Sequence, residues 1–394
     1  MRQSLASQVI PEPPSPSLRP FQISALEALN RTGLRHLICI ATTGSGKSLI
    51  YQKRALDSGE KLLMISPLVA LGRQQRERLE SHGIPTRLGS EGRLGPHHLA
   101  WILSPESLDW EPTWRELTQW NPELLVVDEC HCLWEWGSHF RPSFQKVPEL
   151  VERLESLKKT LWLTATLPRE ARAELVTRLS TSGAVEVQGQ FELPRRLSLH
   201  VQRIAPPDRL EHWTQDLLSS DDPGILFAGT RKNAEKLARL ALHLGVPSAY
   251  YHAGIAREER RLLEKKVEDR DLQLIVATSA FGMGMDFEHL TRTWLWQPPR
   301  SVLELAQSIG RVGRSNRPGK AIAYWDPWDF RLLVNRGSLS EHELKRMDQV
   351  RSVFESDLCR RLALGSQFNP TNESIPSFCK PPESPCDRCS RYSE

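Results

Sequence analysis

HLICIATTGSGKS, residues 36–48, joins an apolar run to a glycine-rich turn and then to a polar, helix-like stretch, SLIYQKRALD. The apolar run has the length and composition of a buried strand. Gly44 and Gly46 let successive backbone N–H groups curl round an anion, and the following helix turns its positive end to the same point. The loop 41–48 matches the Walker A pattern, with Ala41 where the first glycine usually stands. In that pattern the backbone of Thr43, Gly44, Ser45 and Gly46 cradles phosphates, Lys47 reaches the outer phosphates of ATP, and Ser48 ligates Mg²⁺. The competing reading is a plain Gly/Ser turn. A strand before the loop and a helix after it favour phosphate binding.

The same rhythm continues outward. Strand-like runs fall at 61–66 (KLLMIS), 99–104 (LAWILS), 123–128 (ELLVVD) and 160–165 (TLWLTA), with helix-like segments such as VALGRQQRERLE between them. Such alternation predicts an α/β fold, a parallel sheet with helices on both faces. It restarts near residue 195, with runs at 197–204, 224–229, 272–277 and 321–325. The interval 182–197, SGAVEVQGQFELPRRL, contains Gly and Pro and no strong period, so the domain boundary is placed there. The division predicted is a flexible Pro-rich leader over 1–17, a nucleotide-binding domain over 18–195, a second α/β domain over 196–330 and a helical module over 331–394.

A second chemical signal follows the run Leu124-Leu125-Val126-Val127, where Asp128 and Glu129 emerge. Ligand sites of parallel sheets lie at the carboxyl ends of the strands. Asp128 there suits Mg²⁺, and Glu129 suits the orientation of an attacking water. Alone, the pair reads as an acidic strand cap. Beside a Walker A loop it reads as the acidic half of a nucleotide site.

Length and composition set the frame. A chain of 394 residues suits two or three domains, and 39% hydrophobic with 25% charged residues is ordinary for a globular protein. The chain contains no apolar run of membrane-spanning length, and the first residues lack a signal-peptide core, so a cytoplasmic protein is the default expectation. The net charge of +4 is compatible with nucleic acid without demanding it. Of seven cysteines, Cys359, Cys379, Cys386 and Cys389 cluster late, spaced x19, x6 and x2. The C-x2-C pair can bite one tetrahedral ion, and four thiolates make a closed structural Zn²⁺ site. Unliganded tail cysteines are the alternative. Cys39, Cys130 and Cys132 sit in or beside apolar runs and read as small buried residues.

Asp128-Glu129-Cys130-His131 is a DExH box, and with it the chain resembles superfamily 2 helicases. Further motifs come in that superfamily's order. Leu18-Arg19-Pro20-Phe21-Gln22 resembles the adenine-sensing element, with Arg19 and Gln22 its polar residues. Ser66-Pro67-Leu68 and Ser104-Pro105-Glu106 resemble backbone-binding motifs, and Thr164-Ala165-Thr166 the motif coupling the two domains. Val276-Ala277-Thr278 through Asp286 resembles motif V, and Gln307-Ser308-Ile309-Gly310-Arg311-Val312-Gly313-Arg314 resembles motif VI.

Within the superfamily the chain is most similar to the RecQ family, through the segment 131–142 (HCLWEWGSHFRP), the motif V run AFGMGM, and Cys359-Arg360-Arg361 followed by three more cysteines. It departs at an extra Trp134, at Ser138 and His139, at Phe287 and at Ser315; the family's middle cysteine spacing is also tighter.

The resemblance implies two tandem RecA-like domains plus a small helical zinc module, with ATP between the domains. It implies that Lys47, Asp128, Glu129 and His131 act from the first domain, and that Arg311 and Arg314 add charge from the second as arginine fingers do. It also implies that Ser66, Pro67, Trp134, Trp136, Phe140, Arg141 and Thr278 meet nucleic acid. Aromatics on a loop suit sequence-tolerant base stacking; packing at a domain interface is the other reading for Trp134, Trp136 and Phe140, strongest for Trp134. The implied activity is ATP- and Mg²⁺-dependent 3′-to-5′ movement on single-stranded or tailed duplex DNA by a monomer, in repair or recombination. The sequence ends five residues after Cys389, before the winged-helix and helical domains many RecQ proteins carry, so weaker unwinding is expected. Two alternatives stay open: an RNA helicase or remodelling ATPase, and an ATP-switched binding adaptor that does not translocate.

Overall fold

Period-two alternation along each strand splits the core into two apolar layers. On β2 (Leu62–Ile65), Leu62 and Met64 join one cluster while Leu63 and Ile65 join another. On β5 (Leu124–Val127), Leu124 and Val126 face the first, Leu125 and Val127 the second. A strand that is apolar on both faces must be covered on both faces, which forces helices above and below the sheet. Each fully buried leucine contributes roughly 1.5–3 kcal/mol. The computed structural model describes residues 18–92, 94–135, 142–279, 281, 287–314, 317–335, 339–370 and 385–389.

The first sheet adds β1 (Leu34–Ile40), β3 (Thr86–Leu88), β4 (Ala100–Leu103), β6 (Lys159–Thr164) and β7 (Ala184–Gly189), in the order β3-β4-β2-β5-β6-β1-β7, with every pairing parallel. The order places β6 between β1 and β5. The glycine-rich loop after β1 and the acidic pair after β5 therefore emerge one strand apart at the same edge.

The second sheet contains β8 (Leu197–Arg203), β9 (Gly224–Phe227), β10 (Ser248–Tyr251), β11 (Leu274–Ala277), β12 (Arg292–Leu295) and β13 (Gly319–Trp325), ordered β10-β11-β9-β12-β13-β8 and again all parallel. The C-terminal helices Glu341–Glu355 and Arg360–Gly365 carry Met347, Val350, Val353, Phe354 and Leu364 into the apolar cluster on one face of this sheet. The first of them starts on a capping box, in which Glu343 N donates to Ser340 Oγ and Ser340 N to the Glu343 carboxylate.

The architecture is the α/β pair of RecA-like domains the sequence implied. Four strands were not legible as such. β3 is three residues long, and β10 is short and half-buried. β7 is a half-exposed edge strand within the interval read as connecting chain. β12 carries a buried Arg292, whose charge is met by Asp216 at 2.7 Å. Cys39, Cys130 and Cys132 are all buried. Among the described residues no helix is long and apolar enough to cross a membrane.

Candidate nucleotide cleft and cysteine cluster

The glycine-rich loop is shaped before any nucleotide meets it. Gly44 and Gly46 take positive φ values of 75° and 84°, which an L side chain rarely adopts. A Cβ on Gly46 would lie 2.8 Å from Gln22 Nε2. That contact has a purpose. Gln22 is buried, its Nε2 donates to Gly46 O at 2.8 Å, and its Oε1 accepts from Arg19 N at 2.7 Å. Gln22 thus braces the loop through its carbonyls while Arg19 stays exposed.

Lys47 Nζ folds onto the loop, donating to Ala41 O at 2.8 Å and Thr42 O at 3.2 Å. Ser45 Oγ is buried with no hydrogen-bond partner among the described residues. An orphaned hydroxyl, a lysine resting on carbonyls and a helix N-terminus together fit a phosphate group.

A cavity of about 400 Å³ spans the two domains here. The first domain lines it with Thr43, Gly44, Gly46, Lys47, Ser48, Pro67, Asp128, Glu129, His131 and Thr166; the second lines it with Gln307, Gly310, Arg311 and Arg314. Tyr51 and Gln75, hydrogen-bonded to each other, and Arg78 extend the wall along the helices Ser48–Ser58 and Val69–Ser81. The Ser48 hydroxyl and Asp128 carboxylate form an all-oxygen donor set suited to Mg²⁺.

Glu129 leaves β5 with φ +48°, a left-handed conformation uncommon outside glycine, and this aims its carboxylate into the cleft. Burial, followed by the charge of Glu129, pushes the Asp128 carboxyl up to about 6, against the pull of Lys47. Glu129 is held down at about 2: burial opposes, but a hydrogen bond from His131 and the charges of His131, Lys47 and Arg311 outweigh it. Burial lowers His131 too, yet Cys132 and Glu129 beside it raise its pKa well above the ordinary histidine value. The ring is fixed on all sides. Its Nδ1 lies 2.9 Å from Thr164 Oγ1 and 3.3 Å from Glu129 Oε2, and its Nε2 lies 2.7 Å from the Gln307 amide.

Gln307 lies within motif VI, and Tyr51, Gln75, Arg78 and Phe191 carry no local motif; only folding brings them to the cavity. Arg314 Nε donates to Gly310 O at 2.8 Å, so its helical turn is tied to the wall.

Of the residues read as meeting nucleic acid, Ser66 and Thr278 follow β2 and β11, at the carboxyl edges of their sheets. Ser66 Oγ donates to Leu68 O at 3.4 Å, and Thr278 N donates to Tyr251 O at 3.1 Å. Trp134 packs half-buried on the first domain's apolar cluster, its indole N–H on Glu174 at 2.8 Å. Trp136, Phe140 and Arg141 lie outside the described residues.

At the other end, Cys359, Cys386 and Cys389 bring their sulfurs within 4.8 Å of one another. Backbone N–H groups of Arg360 and Cys389 point at Cys386 Sγ, at 3.5 and 3.4 Å. Amides aimed at sulfur stabilise a thiolate, and three soft donors at this spacing fit Zn²⁺. The Cys359 sulfur, and then burial, push the Cys386 thiol up to about 12. Arg360, buried, pairs with Asp387 at 2.9 Å between the last two cysteines. Cys379 lies outside the described residues.

Comparison with known proteins agrees with this layout. Residues 19–174 match the DEAD/DEAH box helicase family and residues 209–316 the helicase conserved C-terminal domain. The ATP-dependent DNA helicase RecQ of Bacillus subtilis is 30% identical over 82% of this chain and 56% of its own length. That of Synechocystis is 30% identical over 73% and 64%, and that of Haemophilus influenzae 26% over 89% and 58%. The chain therefore spans little more than half the length of several curated relatives. Saccharomyces cerevisiae Dbp5, solved with RNA and ADP BeF3, shares the fold with a TM-score of 0.62 at 17% identity, over 85% of this chain and 93% of that one. Both helicase domains are present in order, and the matches to RecQ proteins run across both: the chain belongs to the RecQ family of superfamily 2 helicases.

Proposed function

We propose that the chain is an ATP-driven DNA motor that translocates on single-stranded DNA and separates tailed duplexes. One observation carries the reading: Lys47, Asp128 and Glu129 of one domain and Gln307, Arg311 and Arg314 of the other line a single cavity. Hydrolysis in a site shared this way can change the relation of the two domains. A strand held across both is then pulled in steps.

In this reading the loop amides and Lys47 hold the outer phosphates, and Ser48 and Asp128 hold Mg²⁺. The bound cation neutralises phosphate charge. Glu129 orients water and accepts its proton. Arg311 and Arg314 steady the charge that develops on the transferred phosphoryl group. Arg19 and Gln22 set the base end. Ser66, Pro67, Trp134, Trp136, Phe140, Arg141 and Thr278 form the proposed DNA path. Cys359, Cys379, Cys386 and Cys389 would hold Zn²⁺ as a structural staple.

The choice of DNA is supported by relatives named ATP-dependent DNA helicases. A 3′-to-5′ direction, a monomeric state, a cytoplasmic place and a part in repair or recombination complete the proposal. The test is ATP hydrolysis and strand separation with 3′-tailed, 5′-tailed and blunt duplexes, each in DNA and RNA form. Hydrolysis and separation with 3′-tailed DNA support the reading. A preference for RNA moves the chain to RNA remodelling, and binding without hydrolysis makes it a switch.

A further inference from the structure

The chain between β7 and β8, residues 190–196, reads QFELPRR. By composition it is an interdomain linker, and such linkers default to mobility. Here it is fastened along its length. Phe191, Leu193 and Pro194 also line the nucleotide cavity, so whatever fastens the linker shapes that cavity.

Two residues of the C-terminal segment do the fastening. Arg361 Nη2 donates to Pro194 O at 2.7 Å, to Arg195 O at 2.9 Å and to Leu197 O, and Nη1 reaches Leu193 O at 3.5 Å. Carbonyl oxygens that converge repel one another. One guanidinium offsets that repulsion with positive charge and shared N–H groups. Asn369 pairs with the backbone of Phe191 at two points, accepting from its N at 3.0 Å and donating to its O at 3.1 Å. Phe368 stacks on the Phe191 ring at 4.1 Å.

The same segment also reaches the first domain. Arg169 N donates to Gln367 O at 3.0 Å, and Lys345 pairs with Glu170 at 2.9 Å. Its helices share the second sheet's apolar cluster, so it packs with the second domain while gripping the linker.

We propose that Arg361 and Asn369 are positioning residues for ATP hydrolysis, holding residues 191–197 as a fixed wall of the cleft and thereby setting how Arg311 and Arg314 approach the phosphates. This rests on the reading of the cleft as an ATP site. Neither residue lines the cavity. Their loss leaves the phosphate loop, which belongs wholly to the first domain, intact.

The experiment compares the full chain with R361A, R361K and N369A in three measurements. The first is trypsin cleavage after Arg195, located by fragment mass. A carbonyl engaged by Arg361 cannot enter a protease site, so cleavage there should be slow in the wild type and about tenfold faster in R361A. The second is the split between turnover and binding: kcat should fall about tenfold in R361A and N369A while affinity for a non-hydrolysable ATP analogue changes less than about threefold. R361K keeps the charge but not the fork, and should fall between. The third is zinc content and melting temperature, which show that each variant is folded and loaded.

Unchanged cleavage in folded R361A and N369A overturns the clamp. Faster cleavage with unchanged kcat overturns the positioning role. A wild type that binds nucleotide without hydrolysing it overturns the ATPase reading and the positioning role with it, while the cleavage measurement still decides the clamp.

Discussion

Gln307, on the helix Val302–Ile309 of the second domain, places its amide 2.7 Å from Nε2 of His131, which follows the Asp128-Glu129 pair in the first. Nδ1 of the same ring faces Thr164 Oγ1 and Glu129. The amide nitrogen of Gln307 is the atom that faces Nε2 of the ring. One imidazole thus ties the Glu129 carboxylate to the opposite domain. Gln307→Ala should lower DNA-stimulated hydrolysis about tenfold, since leaving a buried polar group without its partner costs about 1–3 kcal/mol. Gln307 is only half-buried, so the melting temperature should barely move. Steady-state rates with titrated single strands decide it; an unchanged rate would reduce the contact to packing.

Glu129→Gln should separate binding from chemistry. The amide keeps the side-chain shape, and the Asp128 carboxylate and Ser48 hydroxyl remain for Mg²⁺. Nucleotide affinity should stay within about threefold while hydrolysis falls by about 10²–10⁴, the usual worth of a general base. Lost affinity in a binding titration would make Glu129 structural instead.

Cys386→Ser, or a strong chelator, should release about one Zn²⁺ per chain and lower the melting temperature, because a metal held by folded ligands is linked to folding. Cys386 is 2% exposed and central among the three sulfurs, so it is the most telling ligand to remove. Elemental analysis that finds no stoichiometric zinc in the native protein contradicts this.

His36 gives the first domain an acid-sensitive point. It is wholly buried on β1, with Nδ1 2.8 Å from Thr160 Oγ1 and Nε2 3.1 Å from Ser182 Oγ. Burial, and then the Arg35 charge, hold its pKa down at about 4 against an ordinary 6.5. A histidine depressed on folding takes up its proton more readily when unfolded. Its neutral form therefore contributes full stability above pH 6.5, and that contribution is lost as the pH falls toward 4. The amount is at most about 3 kcal/mol. Denaturant midpoints should fall between pH 7 and 5, and less steeply in His36→Gln. Parallel profiles would remove His36 from the account.

The phosphate loop and the acidic pair were legible because each is a local pattern. The glycines, Lys47 and Ser48 sit within five residues, and Asp128 ends an unbroken apolar run. What was not legible depends on partners far along the chain. β7 reads as linker because only one edge of it pairs, with β1. β12 shows no unbroken apolar run because Arg292 opens it, and the charge is met only by Asp216, 76 positions away. Arg361 reads as the second arginine of a cysteine motif, and its carbonyl partners lie 164–168 positions back. Trp134 was assigned to the loop with Trp136 and Phe140; its own ring rests on the first domain's apolar cluster.

Coupling of ATP hydrolysis to a DNA strand through one cleft is tested directly by the ATPase rate of the purified chain with and without a saturating single-stranded DNA oligonucleotide. Such coupling predicts a slow basal rate that rises saturably, by about tenfold or more, when the strand is added. It also predicts that Lys47→Ala abolishes both rates in a chain that melts as the wild type does, because Lys47 rests on loop carbonyls and fills no core. A rate indifferent to DNA, or one that survives the loss of Lys47, would contradict it.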